Sequence, residues 1–295
     1  MEAEIAATFG AARARGFLHA CEIRPSDVGG AMINVDGGCQ VAAASVIKIV
    51  FAVAYARAAA VGEIDPSERI EVPRELRVGG SGTAGFADTP LVSLRDLASL
   101  MITVSDNAAS DLIYQRVGPA AVSAVLDDLG LDDTHIRSDM TSAGRRVAAE
   151  LGLADAHNLD AQLATVDVDR VRALAWLDPQ RANATTAIDM ATLLHAIWTD
   201  RAGPPQSCAF VRDAMSRREN TQRLASGFDG VIGVAGKTGT LPFVRNEAGV
   251  VSYPDGRRYA IAIFTQTQSP LPRDAAVDTA IGQAARVAVE ALRNA

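Results

Sequence analysis

Ala43-Ala44-Ser45-Val46-Ile47-Lys48-Ile49-Val50 sets a hydroxyl and an amine three residues apart, at the start of an apolar segment that runs through Ala52, Val53 and Ala56 to Val61. Residues at that spacing share one face of a helix, so the stretch predicts a helix on which the Lys48 nitrogen reaches Ser45 Oγ. Apolar almost all round, this helix is expected to be buried, with Gly62 as its C-cap. Of the 28 lysines and arginines in the chain only two are lysine, Lys48 and Lys237. Arginine keeps its proton in a protein, whereas a desolvated lysine can become a neutral base. A chain that uses arginine nearly wherever it needs positive charge, yet keeps two lysines, marks those two positions for chemistry.

The second lysine lies in Gly236-Lys237-Thr238-Gly239-Thr240, and between the two stands Val104-Ser105-Asp106-Asn107. Ser-x-x-Lys, Ser-Asp-Asn and Lys-Thr-Gly, in that order, resemble the signature of class A β-lactamases and penicillin-binding proteins. The interval from Ser45 to Ser105 is similar to the class A pattern, and both lysines fall inside the set. The resemblance implies an α/β fold, a class A β-lactamase-like sandwich in which an antiparallel sheet is flanked by helices and joined to an all-helical region. Residues 1–59 and 206–295 are expected to form the α/β part, and 60–205 the helical part.

With 295 residues, 48% of them hydrophobic and 21% charged, the chain can bury a large core. A net charge of −7 argues against nucleic acid and anionic membrane surfaces as partners. Cys21, Cys39 and Cys208 are odd in number and widely spaced, suggesting buried apolar side chains rather than a disulfide framework or a zinc site. None of His19, His135, His157 and His195 belongs to an HExxH or another spaced ligand set, so neither metal nor cofactor is expected. Met1-Glu2-Ala3-Glu4 lacks a basic n-region, which reads as cytoplasmic. No run of residues is apolar enough to span a membrane. The oligomeric state stays open.

In chain order, residues 3–14 predict a covering helix ended by Gly16, and 17–23 with 31–41 a β-hairpin joined through Arg24-Pro25-Ser26-Asp27 and Gly29-Gly30. Gly80-Ser81-Gly82-Thr83-Ala84-Gly85 fits GxGxxG. Phe86-Ala87-Asp88-Thr89-Pro90 follows where a dinucleotide fold requires a helix, so the stretch reads as a loop. Ser93-Leu94-Arg95-Asp96 is a capping box for a helix that delivers Ser105-Asp106-Asn107 to its end. Helices follow to Val117, where Gly118-Pro119 stops the run, and over 120–129. Thr185 to Met190 begins another helix. Helices over 193–198 and 208–216, strands over 231–240, 245–253 and 259–265, and a helix over 276–291 complete the reading.

The resemblance implies roles residue by residue. Ser45 is the nucleophile, Lys48 its proton acceptor or orienting charge, and Ser105 a shuttle lying between Lys48 and Lys237. Asn107 binds the substrate's acylamino carbonyl. The backbone N–H groups of Ser45 and Thr240 form the oxyanion hole, and Lys237, Thr238, Gly239 and Thr240, with Arg245, meet a substrate carboxylate. The expected partner is a small-molecule or peptide-like substrate carrying that carboxylate. One family element is missing. Thr134 to Asp139 looks like the approach to the class A omega loop, but Met140-Thr141-Ser142-Ala143 stands where the catalytic Glu should follow. Roughly thirty extra residues, with helical signals over 145–153 and 166–177, occupy about 140–183 and are expected to fold over the site entrance as a lid. Asp139, Asp167 and Asp169 are the carboxylates that could stand in. The chain therefore reads as a serine hydrolase acting on an amide, ester or β-lactam. The alternatives are an acyltransferase or biosynthetic tailoring enzyme, and a penicillin-binding protein that acylates without turnover. Trp176 and Trp198 read as core residues.

Overall fold

The computed structural model describes residues 1–24, 30–79, 81–154, 159–271 and 273–295; of Asp160 only the backbone is described. Helix α1 (Glu2–Ala11) leads into strands β1 (Ala14–Glu22) and β2 (Met32–Val35). These two pair antiparallel with His19 opposite Asn34. The connection expected at Pro25, Ser26, Asp27 and Gly29 lies outside the described residues. Gly16 does not end α1. It sits inside β1 with the Phe9 ring against its backbone, where an added Cβ would lie 2.1 Å from that ring. The second expected strand is cut short because Asp36, at φ 49°, turns the chain.

After β3 (Val41–Ala42), a 3₁₀ turn over Ala44–Ile47 runs straight into α2 (Lys48–Ala60). β4 (Arg69–Glu71) and β5 (Leu91–Ser93) pair as a ribbon. They are followed by α3 (Leu94–Thr103), capped by Ser93 through Asp96 N, and α4 (Asn107–Leu129), interrupted at Gly118 where φ is 80°. The extra segment carries α5 (Met140–Leu151), α6 (Leu159–Leu163) and α7 (Val168–Arg172). Then come β6 (Ala184–Thr185), paired with β3, and α8 (Ala187–Trp198) and α9 (Pro205–Ser216). β7 (Gly233–Leu241), β8 (Val244–Ser252), β9 (Arg258–Thr267) and α10 (Ala275–Arg293) finish the chain. The middle of the chain is helical apart from the β4–β5 ribbon and β6, whose strands are too short for periodicity to reveal.

One antiparallel sheet, in the order β2-β1-β9-β8-β7, takes strands from both ends of the chain. β1 and β9 run side by side from Ala14 opposite Thr267 to Glu22 opposite Tyr259. Successive side chains point to opposite faces. Ile261 and Ile263 therefore pack with Ile5, Phe9 and Ile281 under α1 and α10, while Ala260, Ala262 and Phe264 join the larger core around α2, α8 and α9. Covered on both faces, β9 is apolar throughout its middle rather than alternating. α2 is buried from Lys48 through Ala56. The extra segment has a small core of its own, Val147, Leu159, Leu163, Val171 and Leu174, into which Phe243 projects from the β7–β8 turn.

Candidate active site

Ser45 is half-buried on the 3₁₀ turn that opens α2. The turn is held from two sides. Asn246 on β8 donates Nδ2 to Ala42 O at 3.0 Å, and Ala43 N donates to Asn183 O at 2.9 Å. Ala44, immediately before Ser45, has φ 49°, a left-handed conformation that costs free energy for a residue with a Cβ and that persists where the surroundings enforce it. β7 is the edge strand of the sheet, so one side of its backbone is left without a strand partner, and that edge faces the nucleophile. Gly239 lies so close that a Cβ built on it would be 3.0 Å from Ala43 O and 3.2 Å from Ser45 N. A side chain there would force the Ala43–Ser45 turn to give way.

Lys48 is fully buried, and its Nζ donates to Asn107 Oδ1 at 2.7 Å, Ser105 O at 2.8 Å and Asp106 O at 3.3 Å. Ser45 Oγ is not among its hydrogen-bond partners. The expected Ser45–Lys48 contact is thus replaced by one to the turn before α4, which offers three acceptors for an ammonium group. Burial pushes the Lys48 pKa down to about 8, opposed by the nearby charges of Asp111 and Asp106. Lys237, 1% exposed, donates to Ser105 Oγ at 2.9 Å and Thr238 O at 2.8 Å. Burial first, and then Lys48 and Arg223, hold it well below the usual lysine range. Ser105 therefore links the two lysines, by its hydroxyl to Lys237 and by its carbonyl to Lys48, from a left-handed backbone with φ 62°.

Asp106 caps α4 through Ala109 N and accepts from Thr83 N at 2.7 Å. The glycine-rich stretch is thereby fastened as a 3₁₀ turn over Gly82–Gly85 rather than opening a long helix. Its first glycine, Gly80, lies outside the described residues. Asp111, buried on α4, accepts from Met140 N at 2.7 Å and Thr141 N at 2.8 Å, tying the start of α5 to α4. Burial raises its pKa against those hydrogen bonds.

Arg245 stands apart from the cluster. It is 5% exposed and its guanidinium ion-pairs with Asp278 on α10, with Nη2 to Oδ2 at 2.6 Å. Arg223, 1% exposed, reaches the Lys-Thr-Gly motif itself, donating to Thr240 Oγ1 at 2.8 Å and Gly239 O at 2.9 Å while pairing with the same Asp278. Sequence reasoning missed Arg223, Asp111 and Asn246. Nothing local distinguishes one arginine among so many, and the other two act through long-range contacts.

A cavity of about 550 Å³ opens onto Ser45, Ser105, Asn107, Thr238 and Thr240. Its far wall comes from the extra segment, including Met140, Val147, Leu159 and Trp176. Trp198 is core as expected, and Trp176, half-buried against the extra segment's small core, also lines this cavity. No Asp or Glu lines the cavity among the described residues; its charged lining residues are Arg146 and Arg181. Asp139 Oδ1 caps α5 by accepting from Ser142 N at 2.6 Å, and Asp167 caps α7. Asp169 is exposed on α7.

His19 pairs with Asn34, His195 is buried on α8, and His157 lies outside the described residues. Among the described residues no group of three or more His, Cys, Asp or Glu could hold a metal ion, and no helix is long and apolar enough to cross a membrane. Cys39 is exposed, unlike buried Cys208, because it follows the Asp36 turn at the surface.

A family model described as the β-lactamase enzyme family matches residues 2–292. The β-lactamase regulatory protein BlaB of Streptomyces cacaoi is 31% identical over 279 residues, covering 90% of this chain and 89% of that protein. Among solved structures, the β-lactamase of Sphaerobacter thermophilus DSM 20745 superposes with a TM-score of 0.78 at 26% identity, over 100% of this chain and 99% of the other. PBP-A gives 0.77 at 24% identity, over 100% and 96%, which bears on fold alone.

Proposed function

This chain belongs to the β-lactamase enzyme family, and from that premise we propose that it forms an acyl-enzyme on Ser45 with an amide, ester or β-lactam that carries a carboxylate. The carrying observation is that Ser45 and Ser105 line one cavity while both buried lysines hydrogen-bond to Ser105. Ser45 Oγ attacks the carbonyl carbon, and its proton passes to Lys48 once that amine, neutral in the share its lowered pKa allows near neutral pH, turns from Asn107 Oδ1 toward Ser45. The proton then moves through Ser105 Oγ, held by Lys237, to the leaving nitrogen, oxygen or sulfur as its bond to carbon breaks. Asn107 holds the acyl side. The N–H groups of Ser45 and Thr240 hold the oxyanion where the edge strand meets the turn. Thr238 and Thr240 donate to the carboxylate, with Gly239 giving the strand its close approach. Arg223 behind Thr240 supplies the positive charge, because by donating to Thr240 Oγ1 it leaves that hydroxyl's proton for the substrate. Arg245 takes no part in this reading.

Water-driven release needs a proton acceptor on the attacking side, and the cavity has no carboxylate among its described lining residues. The acyl-enzyme is accordingly long-lived toward water. A lost general base typically slows its step by about 10²–10⁴-fold. This same feature, with the regulatory name of the Streptomyces cacaoi relative, supports a second reading in which acylation is itself the signal. Intact-protein mass followed over time after adding benzylpenicillin tests both. A stable adduct that is absent in Ser45→Ala is expected. Rapid turnover with no adduct would refute slow release, and no reaction with any activated acyl donor would refute the nucleophile.

A further inference from the structure

We propose that the wall built by α5, the start of α6 and the turn Ala175–Leu177 is an acyl-group chamber, so that the substrate presented to Ser45 carries an acyl group with a bulky apolar body seated among Met140, Ala143, Val147, Leu159, Ala175 and Trp176. This rests on the acyl-enzyme reading above and names the substrate class for it. Met140, Ala143 and Val147 recur at three and four residues along α5 and all line the cavity, while Ser142, Arg145 and Ala149 of the same helix face solvent. The helix thus turns an apolar face toward the nucleophile's cavity. Leu159 comes from the start of α6, and Ala175 and Trp176 from the 3₁₀ turn Ala175–Leu177.

The chamber is preformed rather than a loose flap. Asp111 accepts from Met140 N and Thr141 N, Glu150 accepts from Ala175 N at 2.9 Å, and Asn183 accepts from Arg137 N at 2.7 Å and donates to Ser138 O at 2.9 Å. Phe243 locks the small core behind the wall to the β7–β8 turn. A volume of about 550 Å³ is in the range of pockets that enclose a whole small ligand. Asp111 ties the start of α5 to α4, the helix whose first residue, Asn107, holds the acyl side in the reading above. That geometry assigns the chamber to the acyl group. Among the described residues the charged lining side chains are Arg146 and Arg181, the latter paired with Glu150 at 2.8 Å, so a cationic acyl group meets no free carboxylate there.

S-acyl mercaptoacetates test this, because they keep one carboxylate-bearing leaving group and vary only the acyl group. Ser45 Oγ forms the ester, the C–S bond breaks, and mercaptoacetate leaves with the proton. Second-order rates of Ser45 acylation, read by intact-protein mass, are expected to be at least about tenfold higher for phenylacetyl and hexanoyl than for acetyl, each buried methylene adding roughly three- to fourfold. The 6-aminohexanoyl probe should fall to the acetyl rate. In Ala143→Phe, which fills the chamber, and in Trp176→Ala, which opens it, the phenylacetyl-to-acetyl ratio should drop toward one. A wild-type ratio near one, or a ratio unmoved by both variants, overturns the chamber while leaving the nucleophile standing. Absence of acylation by every probe overturns both.

Discussion

At the scale of single residues, the site depends on taking amines out of water. Lys48 gives up hydration for three oxygen acceptors, and its pKa falls to about 8 because burial outweighs the pull of Asp111 and Asp106. If neutral Lys48 is the acceptor, the acylation rate with a pH-stable ester should rise with pH and level off above about 8, whereas an orienting ammonium would make it fall. The pH–rate profile decides between them. Lys48→Arg should lose acylation almost as completely as Ser45→Ala, since arginine is too basic to accept the proton. Asp278 carries another burden. It is the shared counter-ion of Arg223 and Arg245, all three nearly inaccessible to water. Removing its charge in Asp278→Asn leaves two buried guanidinium groups without their carboxylate and should cost about 3–5 kcal/mol, measured by denaturant unfolding. Wild-type stability in that variant would show that Glu247 and the neighbouring carbonyls suffice.

Between elements, two close approaches set the geometry. β7 comes this close to Ser45 without displacing the Ala43–Ser45 turn because Gly239 has no side chain. Gly239→Val should push the edge strand outward and reduce acylation by about 10²-fold with little change in far-UV circular dichroism, since small displacements of reacting groups are that costly. The second approach is α5 against α4, where Asp111 accepts two N–H groups at the start of α5. Asp111→Ala leaves both donors unpaired in a buried place and should cost about 1–3 kcal/mol. Limited proteolysis should then cut first within 140–183, and uniform resistance across the chain would count against this role.

Across the whole molecule, the sheet joins the two ends of the chain, with β1 inserted between β2 and β9. Deleting residues 1–22 removes a central strand as well as α1, uncovering the apolar edge and face of β9. Cooperative thermal unfolding should be lost, and a sharp transition retained by the truncated chain would show that β9, β8 and β7 fold without it. The position of the active site follows from the same closure. Ser45 follows the N-terminal strands and Lys237 lies near the other end of the chain, so the site assembles only when the sheet does.

The sequence by itself was enough for the three motifs, the buried α2 helix and most element positions, because these rest on local spacing and apolar periodicity, and the expectation of an antiparallel sheet flanked by helices came from the family resemblance those motifs carry. It was enough to notice that Met140 to Ala143 supply no carboxylate. It was silent on what required the chain to close. Lys48 turned to the Ser105–Asn107 turn instead of Ser45 because three acceptors converge there only after α2 and α4 pack. Arg245 went to Asp278 and Arg223 to Thr240 because strand register and the placement of α10 decide which guanidinium meets which partner. Trp176 packs on the small core of the extra segment and also lines the cavity, because that core and the cavity share a wall. Each of these outcomes joins residues far apart in the chain, and such contacts are fixed by packing rather than by spacing.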